Sequence, residues 1–310
     1  MVAGESLVDI VRPLDGAEVY AAGGSPMNVA VGLARLGVDT TLVTEIGDDD
    51  LGRVIIEHVT ASGVELAPDA VVPGRRTSTA TARLDRQMSA RYDFDLRWDP
   101  APYQLPGSVT GLHVGSLDAL LEPGRALVAD LVAETVRRNR FVSYDPNVRA
   151  GLVGDPEAAW RDVRALARQA GLVKLSDEDC RVLRPDRPER ECLAELLDDA
   201  PLVVVTRGAS GASAYAGARA VSVPGRSGTV VDTVGAGDSF MAALIAVVSE
   251  HRWTTSRSWT HDELGFVLEA ATTAAAVTCS RRGADPPTRR ELGPGWPGLI
   301  GVEGRHENAD

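Results

Sequence analysis

The stretch 232–240, which reads Asp-Thr-Val-Gly-Ala-Gly-Asp-Ser-Phe, combines glycines with carboxylates in one short turn. Gly235 and Gly237 lack a Cβ atom, so the backbone there can approach a ligand closely. The apolar run 241–248 follows directly and predicts a buried helix, which makes the turn a helix N-terminus. Free amides and the positive end of the helix dipole at such a turn attract an anion such as a transferring phosphate.

Asp238 lies among these amides. A carboxylate in this position is expected to stay ionised and could accept a proton from a hydroxyl group. The structural alternative is that Asp238 or Ser239 only caps a helix after a glycine turn. The turn by itself is compatible with both roles.

A second glycine turn, Gly-Gly-Ser-Pro-Met-Asn at 23–28, precedes another apolar run. Ser25 as N-cap and Pro26 at the first helical position predict a helix start, and Gly37 predicts the end of that helix. Asn28 falls in the first turn of the predicted helix. Its side chain either makes a local backbone hydrogen bond or presents an amide to a polar ligand above the glycines.

From residue 112 onward, short β-branched runs alternate with helical patterns, which predicts a mainly parallel sheet covered by helices on both faces. Ligands bind to such sheets at the carboxyl ends of the strands. Polar or glycine-containing loops follow the predicted strands at 145–149, 176–179 and 206–211. These loops are therefore expected to border the site.

Shorter patterns predict strands at 2–11, 38–46 and 230–231. Asp9, near the end of the first of these, is either solvated at the sheet edge or kept for a ligand. Residues 77–98 alternate polar with apolar or small residues around a turn at 85–87, which predicts a hairpin with one exposed face. That hairpin is either decoration or a lid over a ligand.

The chain has 310 residues, 44% of them hydrophobic, and a formal net charge of −12. This acidic balance disfavours a nucleic-acid partner, so any phosphate site is expected to be local. Three cysteines without a CxxC spacing indicate neither a disulfide framework nor a zinc site. Because no apolar run reaches membrane-spanning length, we expect no membrane partner and a soluble, cytoplasmic protein.

Through its two glycine motifs, the chain resembles the ribokinase-like sugar kinases, which are also called the pfkB carbohydrate kinase family. The motifs are the helix start at 23–28 with the Leu-Ala-Arg-Leu-Gly run that follows it, and the turn at 232–238. The resemblance implies an α/β fold with a three-layer α/β/α, mainly parallel sheet and a small β lid. It also implies one kinase domain at 1–290 with the lid inserted around 12–22 and 75–100, and an irregular tail at 291–310.

The resemblance implies roles for the matching residues. Asp238 resembles the general base that takes the proton of a sugar hydroxyl attacking the γ-phosphate of ATP. The anion hole beside this base falls to the amides of Gly235, Ala236 and Gly237. By the same resemblance, Asp9, Gly24 and Asn28 bind sugar hydroxyls. Thr206, Gly208 and Gly211 bind the nucleotide. A monovalent cation, which we expect to be K⁺, is bound in such proteins at the positions of Asp232, Val234, Thr278 and Gly283.

One departure from the family pattern concerns the metal. Many members carry Asn-x-x-Glu where this chain has Ser-Asp-Glu-Asp at 176–179, so support for Mg²⁺ and phosphate is expected from Ser176 and Asp179. The phrases Lys-Leu-Ser-Asp-Glu at 174–178 and Tyr-Asp-Pro-Asn-Val-Arg at 144–149 are similar to the fructokinase branch. We therefore expect fructose as the sugar, with 2-keto-3-deoxygluconate, ribose or another ketose as alternatives.

Two other enzyme classes are disfavoured. The stretch 235–240 lacks the third glycine and the βαβ context of a dinucleotide-dependent oxidoreductase, and the chain has no Gly-x-x-x-x-Gly-Lys-[Ser/Thr] motif of a P-loop enzyme. A non-catalytic relative that binds sugar or nucleotide stays open as the alternative class.

An exposed lid hairpin often pairs with that of another subunit, so we also expect a homodimer formed through the lid.

Overall fold

A nine-stranded sheet forms the centre of the structure, a computed structural model that describes residues 1–12, 17–84, 90–252 and 258–297. In spatial order its strands are β15 (Arg219–Val223), β14 (Ala212–Ala216), β13 (Val203–Thr206), β12 (Leu172–Ser176), β11 (Phe141–Asp145), β10 (Gly111–Gly115), β1 (Val2–Ala3), β4 (Thr41–Val43) and β6 (Glu65–Leu66). All neighbouring pairs from β13 to β6 are parallel, whereas β14 is antiparallel to both of its neighbours.

Helices cover both faces of this large sheet. One face carries α1 (Ser25–Arg35), α2 (Asp50–Ala61), α7 (Ala236–Glu250) and α8 (His261–Cys279). The other face carries α3 (Gly124–Arg137), α4 (Pro156–Ala167), α5 (Asp177–Leu183) and α6 (Glu189–Asp199). Successive strand residues alternate between the two cores, since Val204 packs on the α7 side and Val203 on the α3 side. The predicted three-layer α/β/α arrangement with a mainly parallel sheet is confirmed.

A second, four-stranded sheet contains the predicted hairpin. Its strands, in spatial order, are β3 (Val19–Gly23), β2 (Leu7–Arg12), β8 (Thr79–Leu84) and β9 (Ala90–Asp95). Two further short strands, β5 (Ile46–Gly47) and β7 (Val71–Val72), pair with each other. The turn predicted at 85–87 lies outside the described residues. We refer to the four-stranded unit as the small sheet.

The prediction of one continuous strand at 2–11 is wrong. The chain leaves the large sheet after β1 and enters the small sheet as β2, because Gly4 turns it at a φ of 155° against Pro26. A Cβ atom at Gly4 would lie only 2.4 Å from the Pro26 ring, so this turn depends on glycine. Asp9 consequently belongs to the small sheet rather than to the core sheet.

Three further predictions need correction. The segment 38–46 is not one strand, because it contributes β4 to the large sheet and the start of β5 to another pair. Residues 230–231 form no strand, since the Val231 amide donates to the carbonyl of Cys279 instead of to a sheet neighbour. The short helix α9 (Arg289–Leu292), which the Thr288 side chain caps, extends two residues into the tail expected to be irregular at 291–310, and residues 298–310 of that tail lie outside the described residues.

Helices α1 and α7 cross at very close range. A Cβ atom added at Gly32 in α1 would lie 2.6 Å from the Cβ of Ala242 in α7. Small residues at this crossing let the two backbones approach, and they therefore set the distance between the first turns of both helices. Those first turns carry the two glycine motifs of the sequence.

We predict that Gly32→Ala destabilises the protein by about 1–3 kcal/mol, because the added methyl group overpacks the helix crossing. This loss outweighs the gain of about 1 kcal/mol in helix propensity that alanine normally brings. Denaturant unfolding measures the difference, with Gly265→Ala in α8 as control. The nearest atom to a Cβ at Gly265 is Val221 Cγ1 at 3.9 Å, so that variant is expected to gain stability. A similar gain for Gly32→Ala would contradict the close crossing.

Candidate active site

The first turn of α7 is built on Gly235. This residue is the N-cap, in a left-handed conformation with a φ of 74°, and it offers no side-chain hydrogen bond to the helix. A Cβ atom here would lie 2.6 Å from the Cβ of Ala284, so glycine is required. The Ala236 amide donates to the carbonyl of Thr233 at 3.2 Å. The following amides of a helix start have no intrahelical acceptor and are available to an anion.

The carboxylate of Asp238 is held from α1. Its Oδ1 accepts a hydrogen bond from Ser25 Oγ at 2.6 Å, and its Oδ2 accepts one from Asn28 Nδ2 at 2.8 Å. Asp238 is 9% exposed. The capping alternative does not describe this side chain, because the cap of α7 is Gly235 and the carboxylate bonds to another helix.

Ser25 and Asn28 differ from their sequence-based interpretations. Ser25 was expected to cap α1, but Gly24 occupies the N-cap position and the Ser25 hydroxyl serves Asp238. Asn28 uses its amide nitrogen for the same carboxylate, and its buried Oδ1 has no hydrogen-bond partner in the described part of the chain. The spacing of three residues, which places two side chains on one helix face, was the signal that could have linked them.

Asp9 faces the same region from the small sheet. Burial raises the pKa of Asp9 to about 6, Arg149 opposes this rise, and the charge of Asp238 adds to it. A Cβ atom at Gly23 would lie 2.2 Å from Asp9 Oδ2, so this glycine leaves room for the carboxylate. Gly24, expected to contact sugar, has a φ of 107° and passes so close to the Glu5 carbonyl that a Cβ would lie 2.6 Å from its oxygen.

A pair of buried acids, Glu5 and Asp118, lies beneath the first turn of α1. They follow the adjacent parallel strands β1 and β10, and their carboxyl groups are close enough to interact electrostatically. Burial raises the pKa of both carboxyl groups, and the charge of Glu5 raises that of Asp118 further. The pair therefore retains protons to a higher pH than the same two groups in the unfolded chain.

Ser176 and Asp179 form a capping box at the start of α5. Asp179 Oδ2 accepts hydrogen bonds from the Ser176 amide and hydroxyl, both at 2.7 Å, and Oδ1 accepts from the Val148 amide at 2.8 Å. The Asp179 carboxylate thus ties the loop after β11 to α5. Both of its oxygens have protein donors, so a metal contact would use their remaining lone pairs or a bridging water.

The turn at 206–211 lies beside this capping box, because Thr206 and Ser176 are register neighbours on β13 and β12. Gly208 and Gly211 have φ values of 51° and 92°, which favour glycine. A Cβ at Gly211 would also lie 2.1 Å from the Val223 carbonyl oxygen. The structure therefore places all three predicted nucleotide residues at the carboxyl edge of the large sheet.

Three of the residues expected around a monovalent cation, Asp232, Val234 and Gly283, lie in two adjoining loops, whereas Thr278 belongs to α8. Asp232 accepts hydrogen bonds from the Val234 amide at 3.1 Å and from the Gly283 amide at 2.9 Å. Burial acts to raise the pKa of Asp232, but these amide donors outweigh it and the net shift is downward. Thr278, by contrast, donates its hydroxyl to the carbonyl of Ala274 within α8.

The described residues contain neither a metal-binding cluster nor a membrane-spanning helix. No group of three or more His, Cys, Asp or Glu side chains there is arranged to hold a metal ion. Likewise, none of the described helices combines the length and the apolar character needed to cross a membrane.

We predict that Asp118→Asn stabilises the protein at pH 8 by about 1–3 kcal/mol, because it removes one of two buried carboxyl groups that repel each other when charged. Above pH 4.5, Glu5 and Asp118 bind more protons in the folded state than in the unfolded state. The free energy of unfolding of the wild type therefore falls as the pH rises through their raised pKa values. The gain should vanish near pH 4. Melting curves across this range test it, with the exposed Asp130→Asn on α3 as control. A gain independent of pH would contradict the assignment.

Comparison with known proteins gives a consistent picture. The family model for pfkB family carbohydrate kinases matches residues 2–290. The chain is 34% identical over 270 residues to a fructokinase of Rhizobium leguminosarum bv. trifolii, covering 83% of this chain and 82% of the relative. It is 33% identical over 260 residues to a fructokinase of Klebsiella pneumoniae, covering 81% of this chain and 84% of the relative.

Solved structures share the fold. A fructokinase from Xylella fastidiosa with bound ATP matches with a TM-score of 0.82 at 22% identity, covering 94% of this chain and 97% of that chain. A fructokinase from Vibrio cholerae O395, bound to fructose, ADP and calcium ion, matches with a TM-score of 0.77 at 25% identity and the same coverage of 94% and 97%. The family match across 2–290 and the similarity to curated relatives show that the chain belongs to the pfkB family of carbohydrate kinases.

Proposed function

We propose that the protein transfers the γ-phosphate of ATP to a hydroxyl group of a small sugar, and that this sugar is fructose. The observation that carries the proposal is the Asp238 carboxylate at the start of α7, oriented by Ser25 and Asn28 from α1. Support for fructose comes from the two fructokinases that are 34% and 33% identical to this chain.

Asp238 serves as general base in this proposal. Each of its oxygens accepts one hydrogen bond from α1, and a carboxylate oxygen can accept a second. The sugar hydroxyl donates its proton to Asp238 while its oxygen forms a bond to the γ-phosphorus. The bond between that phosphorus and the bridging oxygen of ADP breaks in the same step, ADP is the leaving group, and Asp238 ends the step carrying the proton.

The first turn of α7 stabilises the transferring group. Phosphoryl transfer passes through a loose transition state whose charge is spread over the equatorial oxygens, so fixed donors do most of the work. One well-placed backbone donor contributes roughly 3–4 kcal/mol to such stabilisation. The amides at Gly237 and Asp238 are the donors that the glycine cap leaves without a side-chain partner.

Residues from both sheets contribute to the sugar side. Asp9 presents a carboxylate from the small sheet, and Asn28 presents an amide oxygen that no described residue uses. Arg149, whose charge acts on Asp9, follows β11 at the edge of the large sheet. In the proposal the small sheet is the lid that closes over the sugar and excludes water.

The metals enter with or beside the nucleotide. A Mg²⁺ ion would be held by the ATP phosphates and would neutralise part of their charge. Ser176 and Asp179 then support it indirectly, by fixing the loop after β11. K⁺ is proposed for the loop pair joined by Asp232 and Gly283, through the lone pairs that the two amide donors leave free on the Asp232 oxygens.

The small sheet also supports the proposal of a homodimer. Its edge strand β3 exposes two large apolar side chains, Val19 and Tyr20, at 59% and 47%. An unpaired edge with exposed apolar residues favours pairing with a second copy. Sedimentation velocity tests this proposal.

We predict that Asp238→Asn reduces kcat at least about a hundredfold, because the amide cannot accept the proton of the sugar hydroxyl. Folding stays intact, since the asparagine oxygen still accepts a hydrogen bond from α1. ADP release is measured over a panel of fructose, other ketoses, ribose and 2-keto-3-deoxygluconate, with the variant as the blank. Turnover near that of the wild type would remove Asp238 from the mechanism. Tight sugar binding without ADP release in the wild type would support the non-catalytic alternative.

We predict that Asn28→Ala lowers kcat at least about tenfold and also raises the KM for the sugar, while the KM for ATP changes little. The reason is that the amide nitrogen of Asn28 donates to the Asp238 carboxylate, while its buried oxygen has no partner among the described residues and is proposed to meet the sugar. Ser25→Ala is the matched variant, because it removes only a donor to Asp238 and should affect kcat alone. Equal changes in both KM values for Asn28→Ala would contradict this assignment.

A further inference from the structure

A buried ammonium group lies directly beneath the candidate phosphate site. Lys174 is the only lysine of a chain that otherwise uses arginine. It lies on β12 beside Val204, whose side chain belongs to the core on the α7 side, and its own side chain is 5% exposed. A Cβ atom added at Gly237 would lie 3.3 Å from Lys174 Nζ. The ammonium therefore occupies the space under the first turn of α7.

Asp145, at the end of β11, holds this ammonium group. Its Oδ2 accepts a hydrogen bond from Lys174 Nζ at 2.7 Å, and the Asp145 side chain is only 1% exposed. Burial acts to lower the pKa of Lys174, but the charges of Asp145, Asp179 and Asp238 outweigh it and the net shift is upward. Lys174 thus stays positively charged at neutral pH.

A contribution to folding stability does not by itself explain why Lys174 and Asp145 are buried as an ion pair. Removing two charges from water costs about as much as their attraction returns, so apolar residues in their place would often serve stability as well. The groups around Lys174 are acidic, and in the proposed reaction a bound nucleotide adds further negative charge above it. A compact ammonium also fits against the backbone at Gly237, whereas the larger planar guanidinium of an arginine demands more room.

We propose that Lys174 is a positioning residue for phosphoryl transfer, whose buried charge keeps positive potential beneath the first turn of α7. It acts through the backbone of Gly237 by stabilising the negative charge that the amides receive, and Asp145 keeps its ammonium in place. This inference rests on the proposed kinase function, because it assigns one buried charge to the phosphoryl group of that reaction.

The test distinguishes an effect of the Lys174 charge on kcat from its effect on folding stability. Lys174→Met leaves Asp145 buried and unpaired, so this single variant should lose both stability and kcat. Combining it with Asp145→Asn removes the unpaired charge and should restore most of the melting temperature. The double variant should nevertheless keep a kcat at least about tenfold below that of the wild type, with the sugar KM within about twofold. Recovery of kcat to within twofold of the wild type would overturn the proposal.

A buried arginine on the other face of the large sheet, paired with more exposed acids, supplies the control. Arg184 is paired with Glu157 and Glu195 on the opposite side of the large sheet, and its side chain is 9% exposed. Arg184→Met should lower the melting temperature while kcat per folded molecule stays within about twofold of the wild type. If the double variant fails to fold, Lys174→Met and Arg184→Met are compared at equal folded fraction. Equal kcat in these two variants would overturn the proposal.

A binding measurement separates this inference from the proposed function. ADP with aluminium fluoride and Mg²⁺ imitates the transferring phosphoryl group, and calorimetry gives its affinity without turnover. The double variant should bind it at least about tenfold more weakly than the wild type. Affinities within twofold would overturn the role of Lys174, even in an active kinase. A wild-type protein that binds this mimic but phosphorylates no sugar would overturn only the proposed function.

Discussion

The geometry of the site depends on two hydrogen bonds between helices that are far apart in the sequence. Ser25 and Asn28 on α1 hold the carboxylate of Asp238 on α7. Without them, the acid would be free to turn among several rotamers at the helix start. The close crossing at Gly32 and Ala242 keeps the two first turns at the distance that these bonds require. The small residues of the crossing and the polar residues of the site therefore form one structural unit.

The parallel topology explains why so many charged groups meet at one edge. Parallel strands all end on the same side, so the acids that follow β1, β10 and β11 come together there. Glu5 and Asp118 meet in this way, and Asp145 meets Lys174 on the neighbouring strand. Such an edge is acidic, although a phosphate must enter it. Helix amides at α7 and the buried ammonium beneath them supply positive potential at this acidic edge.

The sequence predicted the helix starts and the position of Asp238, because glycine turns followed by apolar runs are local signals. The alternation of strands and helices likewise predicted the layered sheet. The partners of Asp238 were not predictable in the same way, since Ser25 and Asn28 are more than 200 residues away and packing alone brings them together. Asp9 was assigned to the wrong sheet, because the turn at Gly4 depends on a contact with Pro26 that no local pattern shows. A role for Lys174 was not predictable either, because its ammonium group meets the backbone of Gly237 only through the packing of α7 on β12.

A crystal structure with fructose and a non-hydrolysable ATP analogue tests the central role of Asp238 most directly. We expect a carboxylate oxygen of Asp238 at about 2.6–3.2 Å from one sugar hydroxyl, with that hydroxyl oxygen facing the γ-phosphorus. The γ-phosphate should lie on the first-turn amides of α7. A complex in which Asp238 contacts only Ser25 and Asn28, with the sugar and the γ-phosphate bound elsewhere, would contradict its assignment as the base.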